Sequence, residues 1–111
     1  MPNVSVYIAG PITGVPEYWV PFEEAVHKVL EVGYIPLSPA MLPEGLTPAQ
    51  YMRMCFAMID SADAVLFLKG WENSPGARLE YQYCNYVDKI YAEDVGVLKI
   101  LIETKDEDWD E

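Results

Sequence analysis

Glu80, Tyr7, Ser74 and Trp71 are the residues whose types and spacing suit chemistry, and they fall in two stretches of the chain. The first is Tyr7 with the run Gly10, Pro11, Ile12, Thr13 and Gly14. Glycine and proline there let backbone approach a ligand closely and hold its shape, and Thr13 adds a hydroxyl. The same run also reads as a plain tight turn, since it lacks the full dinucleotide fingerprint. In the second stretch, Ser74 and Pro75 mark the start of a helix. The hydroxyl of Ser74 and the amides of Gly76 and Ala77 then stand where an anion meets the positive end of a helix dipole, unless Ser74 is only a cap. Glu80 lies one turn further in, where its carboxylate can point back toward the helix start. An acid near a helix N-terminus is also simply favourable electrostatics. Arg78 suits a substrate anion or open solvent. Trp71 and Tyr7 offer a stacking ring and a hydroxyl for a planar base and its sugar, or else belong to the core.

Alternating strands and helices are needed to bring these stretches together. Residues 3–9 form an apolar, β-branched run ending at Gly10, which fits a buried parallel strand. Residues 18–32 repeat apolar positions at Phe22, Ala25, Val26, Val29 and Leu30, the spacing of an amphipathic helix stopped by Gly33. A short strand at 34–37 and a loop over 38–46 follow. Thr47 and Pro48 open a second helix whose apolar stripe is Tyr51, Met52, Cys55, Met58, Ile59 and Ala62. The run 64–68 reads as a central strand. A third helix after Ser74 carries Leu79, Tyr83, Tyr86, Val87 and Ile90, and residues 97–102 make a last strand. This alternation predicts an α/β fold, a parallel sheet of four to five strands with helices on both faces. Ligands of such sheets bind beyond the carboxyl ends of the strands, where strand order reverses, so the loops after the first and third strands should border one crevice.

The 111 residues suffice for one domain with a single modest core. The reading divides the chain into that domain, residues 1–103, and an acidic tail, residues 104–111. Eighteen acidic against seven basic residues give a net charge of −11, a field that repels nucleic acid polymers. Cys55 and Cys84 lack the Cys or His neighbours of a metal site, and free thiols fit a reducing compartment. There is no signal-peptide pattern at the N-terminus and no apolar run of about 18 residues, so the expected place is the cytoplasm, away from membranes. No metal or other cofactor is expected. His27 reads as a surface residue.

Taken together, residues 6–14 and 70–80 resemble the small phage and bacterial proteins grouped as a domain of unknown function, DUF4406-like, beside the nucleoside 2-deoxyribosyltransferases. That resemblance implies a three-layer flavodoxin-like or Rossmann-like sheet and a nucleoside or nucleotide substrate. Through the pattern Ser74, Gly76, Glu80 it implies Glu80 as catalytic nucleophile. Tyr7 matches the tyrosine that holds that glutamate, and the loop at Gly10 matches a sugar or phosphate contact. Relatives of this kind assemble as dimers or higher oligomers, so a homo-oligomer is expected, with Tyr81, Tyr83 and Tyr86 as a contact surface. The transferases carry an aspartate where this chain has Ser74, whereas the related nucleotide hydrolases carry serine, so Ser74 leans toward a nucleotide and hydrolysis.

One position departs from the pattern. An aspartate that engages the base is expected eight residues ahead of Asp63, and that position is Cys55. A thiol is a poor acid at neutral pH and a weak hydrogen-bonding group. Two functions follow: N-glycosidic cleavage or exchange on a deoxynucleoside or its 5′-monophosphate, or a nucleotide-binding module that has lost catalysis. Asp60, one turn on, projects in a different direction.

Overall fold

The computed structural model describes residues 3–109, with side chains through residue 105. Four parallel strands, β1 (Ser5–Ala9), β2 (Ile35–Leu37), β3 (Ala64–Phe67) and β4 (Ile90–Ala92), stand in the order β2-β1-β3-β4. Helices α1 (Trp19–Glu31), α2 (Pro48–Ser61), α3 (Pro75–Tyr86) and α4 (Val95–Trp109) cover both faces, giving the three-layer Rossmann-like α/β fold. Successive strand residues point to opposite faces, and the register Val6 with Ala64, Tyr7 with Val65, Ile8 with Leu66 and Ala9 with Phe67 keeps each row on one side. Val6, Ile8, Ala64 and Leu66 pack against Phe22, Ala25 and Val29 of α1 and Leu98 and Ile102 of α4. Tyr7, Ala9, Val65 and Phe67 pack against Cys55 and Ile59 of α2 and Cys84 of α3. Tyr7 thus belongs to the second core layer.

Local sequence sets the helix starts. Thr47 Oγ1 accepts from the Gln50 amide at 3.1 Å while Gln50 Oε1 accepts from the Thr47 amide at 2.8 Å, a reciprocal cap that satisfies two orphan donors of α2. The hydroxyl of Ser74 caps α3 at the Ala77 amide, 3.3 Å away.

Two expectations are corrected near the C-terminus. Residues 97–102 are not a strand but the middle of α4, which Asp94 caps at the Val97 amide, 3.0 Å. A short apolar run is ambiguous between strand and helix, and burial resolves it. Leu98 and Ile102, four apart, are buried, whereas Ile100 is 63 % exposed. The last strand is β4, because α3 ends at Tyr86 and the chain turns through Asp88 in the left-handed region, φ 61°. Ile90, expected on the third helix, therefore pairs with Ala64. The segment read as a tail continues α4 as far as Trp109, and residues 110 and 111 lie outside the described residues. None of the helices among the described residues is long and apolar enough to cross a membrane.

Candidate active site

Strand order reverses between β1 and β3, and the two loops leaving these strands touch. A Cβ on Gly10 would lie 3.0 Å from Leu68 Cβ, and one on Gly70 would lie 3.6 Å from Pro11 Cγ. Gly10 is thus required where the strand exits pack closely, and Gly70, at φ 89°, turns the chain into a 3-10 turn at Trp71–Asn73. Thr13 and Gly14 are exposed at the outer end of the first loop, while the side chain of Ile12 packs against the α1/α4 core. Ile12 therefore offers a ligand backbone only.

The pair that defines the site joins β1, which leads into the first loop, to α3, which follows the second. The Tyr7 hydroxyl donates to Glu80 Oε2 at 2.6 Å, with Tyr7 fully buried and Glu80 5 % exposed. Tyr7 enters from the third position of β1; Glu80 enters from the buried face of α3, which it shares with Ala77 and Cys84. Burial pushes the Glu80 carboxyl up to about 7, against the hydrogen bonds from Tyr7 and Cys55, which lower it. Burial, then the Glu80 charge, holds the Tyr7 phenol well above its usual range. The Cys55 thiol, on the buried stripe of α2, is pushed up to about 11, chiefly by burial. Cys84, one turn beyond Glu80, is pushed up to about 12 by burial and then by the Glu80 charge. At neutral pH, Glu80 is the group of this cluster poised to change charge.

The start of α3 leaves fewer free groups than its sequence suggests. The Ala77 amide is engaged by the Ser74 hydroxyl and the Ala77 side chain is buried. Gly76 packs beside Met52 of α2. Arg78 Nη1 donates to the Glu72 carbonyl at 2.8 Å, bracing the 3-10 turn against α3. The Trp71 ring is stacked on Tyr81 at 4.6 Å and tilted against Phe67 at 5.2 Å, so Tyr81 covers one of its faces. Its buried Nε1 has no hydrogen-bond partner. Asp60 does not join Glu80; it accepts from the Tyr83 hydroxyl at 2.6 Å on the exposed side of α2. Among the described residues, no three His, Cys, Asp or Glu side chains converge as a metal site would need. Tyr81 and Cys84 are the site neighbours that the sequence did not reveal. Cys84 stands four residues after Glu80, the spacing that places two side chains on one helix face.

Fold and site define a class: a parallel α/β domain with a buried tyrosine-held carboxylate at its topological switch point. The profile of the family described as Domain of unknown function (DUF4406) matches residues 4–91, the span from β1 to β4 that holds every residue of this cluster, and the chain belongs to that family. Among curated proteins, none matches it.

Proposed function

We propose that this protein cleaves or exchanges the N-glycosidic bond of a deoxynucleoside or deoxynucleoside 5′-monophosphate, with Glu80 as nucleophile. The Tyr7–Glu80 pair carries the reading. It is a carboxylate in an apolar core, held by the Tyr7 hydroxyl instead of a cation, on the strand that leads into one switch-point loop and the helix that follows the other. Burying such an acid destabilises a fold, and it is expected where chemistry uses it. The resemblance of both motifs to nucleoside 2-deoxyribosyltransferases supports the substrate class.

In this mechanism a Glu80 oxygen bonds to the anomeric carbon as the bond to the base breaks, through an oxocarbenium-like state, leaving a glycosyl ester. The base departs with the bonding electrons and takes up a proton. Water, or a second base, then attacks the same carbon and frees the carboxylate. Tyr7 holds the carboxylate in line. The backbone from Gly10 to Thr13 contacts the sugar, Ser74 and the Gly76 amide receive a 5′-phosphate, and Trp71 borders the base.

The nucleophile must be ionised, so kcat/KM for base release is expected to climb by about tenfold per pH unit below the Glu80 value of about 7 and to level above it. Chromatography of free base across pH 5 to 9 checks this. A rate that falls as pH rises through that range would assign Glu80 the role of acid instead.

Cys55 favours a second reading, a nucleotide-binding module that has lost turnover, because the thiol keeps its proton at neutral pH and cannot act there as a second carboxylate. Cys55→Asp separates the two. A gain in base release marks a decayed enzyme, while unchanged silence combined with thermal stabilisation by a nucleotide marks a module. Two further expectations belong to the proposal. Tyr86 is 89 % exposed beside exposed Leu79 and Val87 at the outer face of α3, a surface that fits self-association into a homo-oligomer. The free, buried Cys55 and Cys84 fit a reducing cytoplasm.

A further inference from the structure

We propose that the indole N–H of Trp71 determines which ligand the site accepts, by donating to a ring nitrogen or carbonyl oxygen at the edge of a planar heterocyclic base. The substrate class rests on the N-glycosidic reading of the same site; the N–H is the atom that reads the base.

Among the described residues, every buried side-chain nitrogen and oxygen has a hydrogen-bond partner except Trp71 Nε1. An indole N–H can only donate, and a buried donor without an acceptor is destabilising, so such atoms are rare unless something outside the fold completes them. The rings beside Trp71 supply no acceptor. Phe67 has none, and the polar atoms of Tyr81 are committed: its hydroxyl lies 3.3 Å from that of Tyr91, which donates to Asn85 Oδ1 at 2.9 Å, while Asn85 Nδ2 donates to the Tyr81 carbonyl at 3.1 Å. These bonds fix the Tyr81 ring, and Trp71 is stacked on it at 4.6 Å. The indole therefore cannot rotate to relieve its N–H without leaving the stack.

The position suits a reader of the base. Trp71 opens the turn that leaves β3, beside Gly70, which approaches Pro11 of the facing loop, and it stacks on the residue next to Glu80. The turn is bonded internally, Asn73 amide to Gly70 carbonyl and Ser74 amide to Trp71 carbonyl, both at 3.0 Å, and it departs from the strand at Gly70 in the left-handed region, φ 89°. It can shift as a unit about that glycine and present the N–H to a ligand. Phe67, Tyr81 and Tyr91 pack edge to face around it, and in such aromatic surroundings a phosphate charge would be costly to bury. A heterocyclic base is flat and neutral and carries in-plane acceptors on its edge, which is what a lone in-plane donor among stacked rings requires.

The test puts benzothienylalanine in place of Trp71, which keeps the fused ring and exchanges the N–H for sulfur, with Trp71→Phe as a second variant. Without ligand, thermal unfolding of the sulfur variant is expected at a Tm equal to or above that of the wild type, because only an unpaired donor is lost. A lower Tm would mean that the N–H already has a partner, and overturns the proposal. Calorimetric titration then uses deoxyadenosine, deoxyguanosine, deoxycytidine, thymidine and their 5′-monophosphates. The wild type is expected to bind at least one of them with a Kd about tenfold below that of the sulfur variant, and Trp71→Phe to bind no more tightly than that variant. Equal affinity with and without the N–H, or no binding of any compound to the wild type, overturns it. Base release that continues unchanged in the sulfur variant would defeat this inference and leave the proposed reaction standing; N–H-dependent binding without base release would do the reverse.

Discussion

Glu80→Gln is expected to make the protein more stable at pH 8, by about 2 to 3 kcal/mol, and to change its stability little at pH 4. The sign follows from the direction of the shift. Glu80 binds its proton more tightly in the folded state, about 7, than at the ordinary carboxyl value of 4.5. Stability conferred by the neutral form is therefore complete below about pH 4.5, declines as pH rises, and is lost above about 7, where the folded protein carries a poorly solvated charge. Glutamine fills the same space, accepts from Tyr7 and never ionises. Urea denaturation of both proteins from pH 4 to 8 isolates the effect, because every other titrating group is common to the pair. The wild-type midpoint should fall relative to the variant between pH 4.5 and 7; parallel profiles would mean that Glu80 is better solvated than the structure places it.

The same substitution is expected to remove base release almost entirely, by about a thousandfold or more. Glutamine preserves shape and the Tyr7 contact but supplies no anionic oxygen to bond with the anomeric carbon. A gain in stability with a loss of turnover in one variant is the signature of a group kept for function against the interest of the fold. Its kcat should fall with little change in KM, since the core packing and the loops above it are untouched; initial rates on wild type and variant report both. A variant that keeps a tenth of the activity would exclude Glu80 as nucleophile.

Three of the strands and three of the helices were legible because their signals are strong. Residues 64–68 form an unbroken apolar run, and Thr47-Pro48 and Ser74-Pro75 mark helix starts that the caps on Gln50 and Ala77 confirm. What failed has a physical cause in each case. The end of α3 turns at Asp88, a residue without the usual glycine mark, so β4 was hidden in the helix. The run 97–102 is apolar at almost every position, and its helical burial is visible only in three dimensions. The face of α3 is set by packing. Of the apolar residues that marked this helix, Leu79, Tyr86 and Val87 are exposed, and the buried side is Ala77, Glu80 and Cys84. An acid on the buried face departs from the apolar pattern that marks a core, which is why spacing alone does not orient this helix. The residues of the candidate site were named from motif and spacing, whereas the covering of Trp71 by Tyr81 and the commitment of the Ala77 amide to Ser74 depend on packing that no spacing encodes.

The most direct measurement is chromatography of free base after incubating wild type and Glu80→Gln with ribo- and deoxyribonucleosides and their 5′-monophosphates, with and without an acceptor base. The expected result is base released from a deoxynucleoside or its monophosphate by the wild type and not by the variant. Release that persists in Glu80→Gln, or no release from any compound in the panel, would contradict a glycosidic site built on the Tyr7–Glu80 pair.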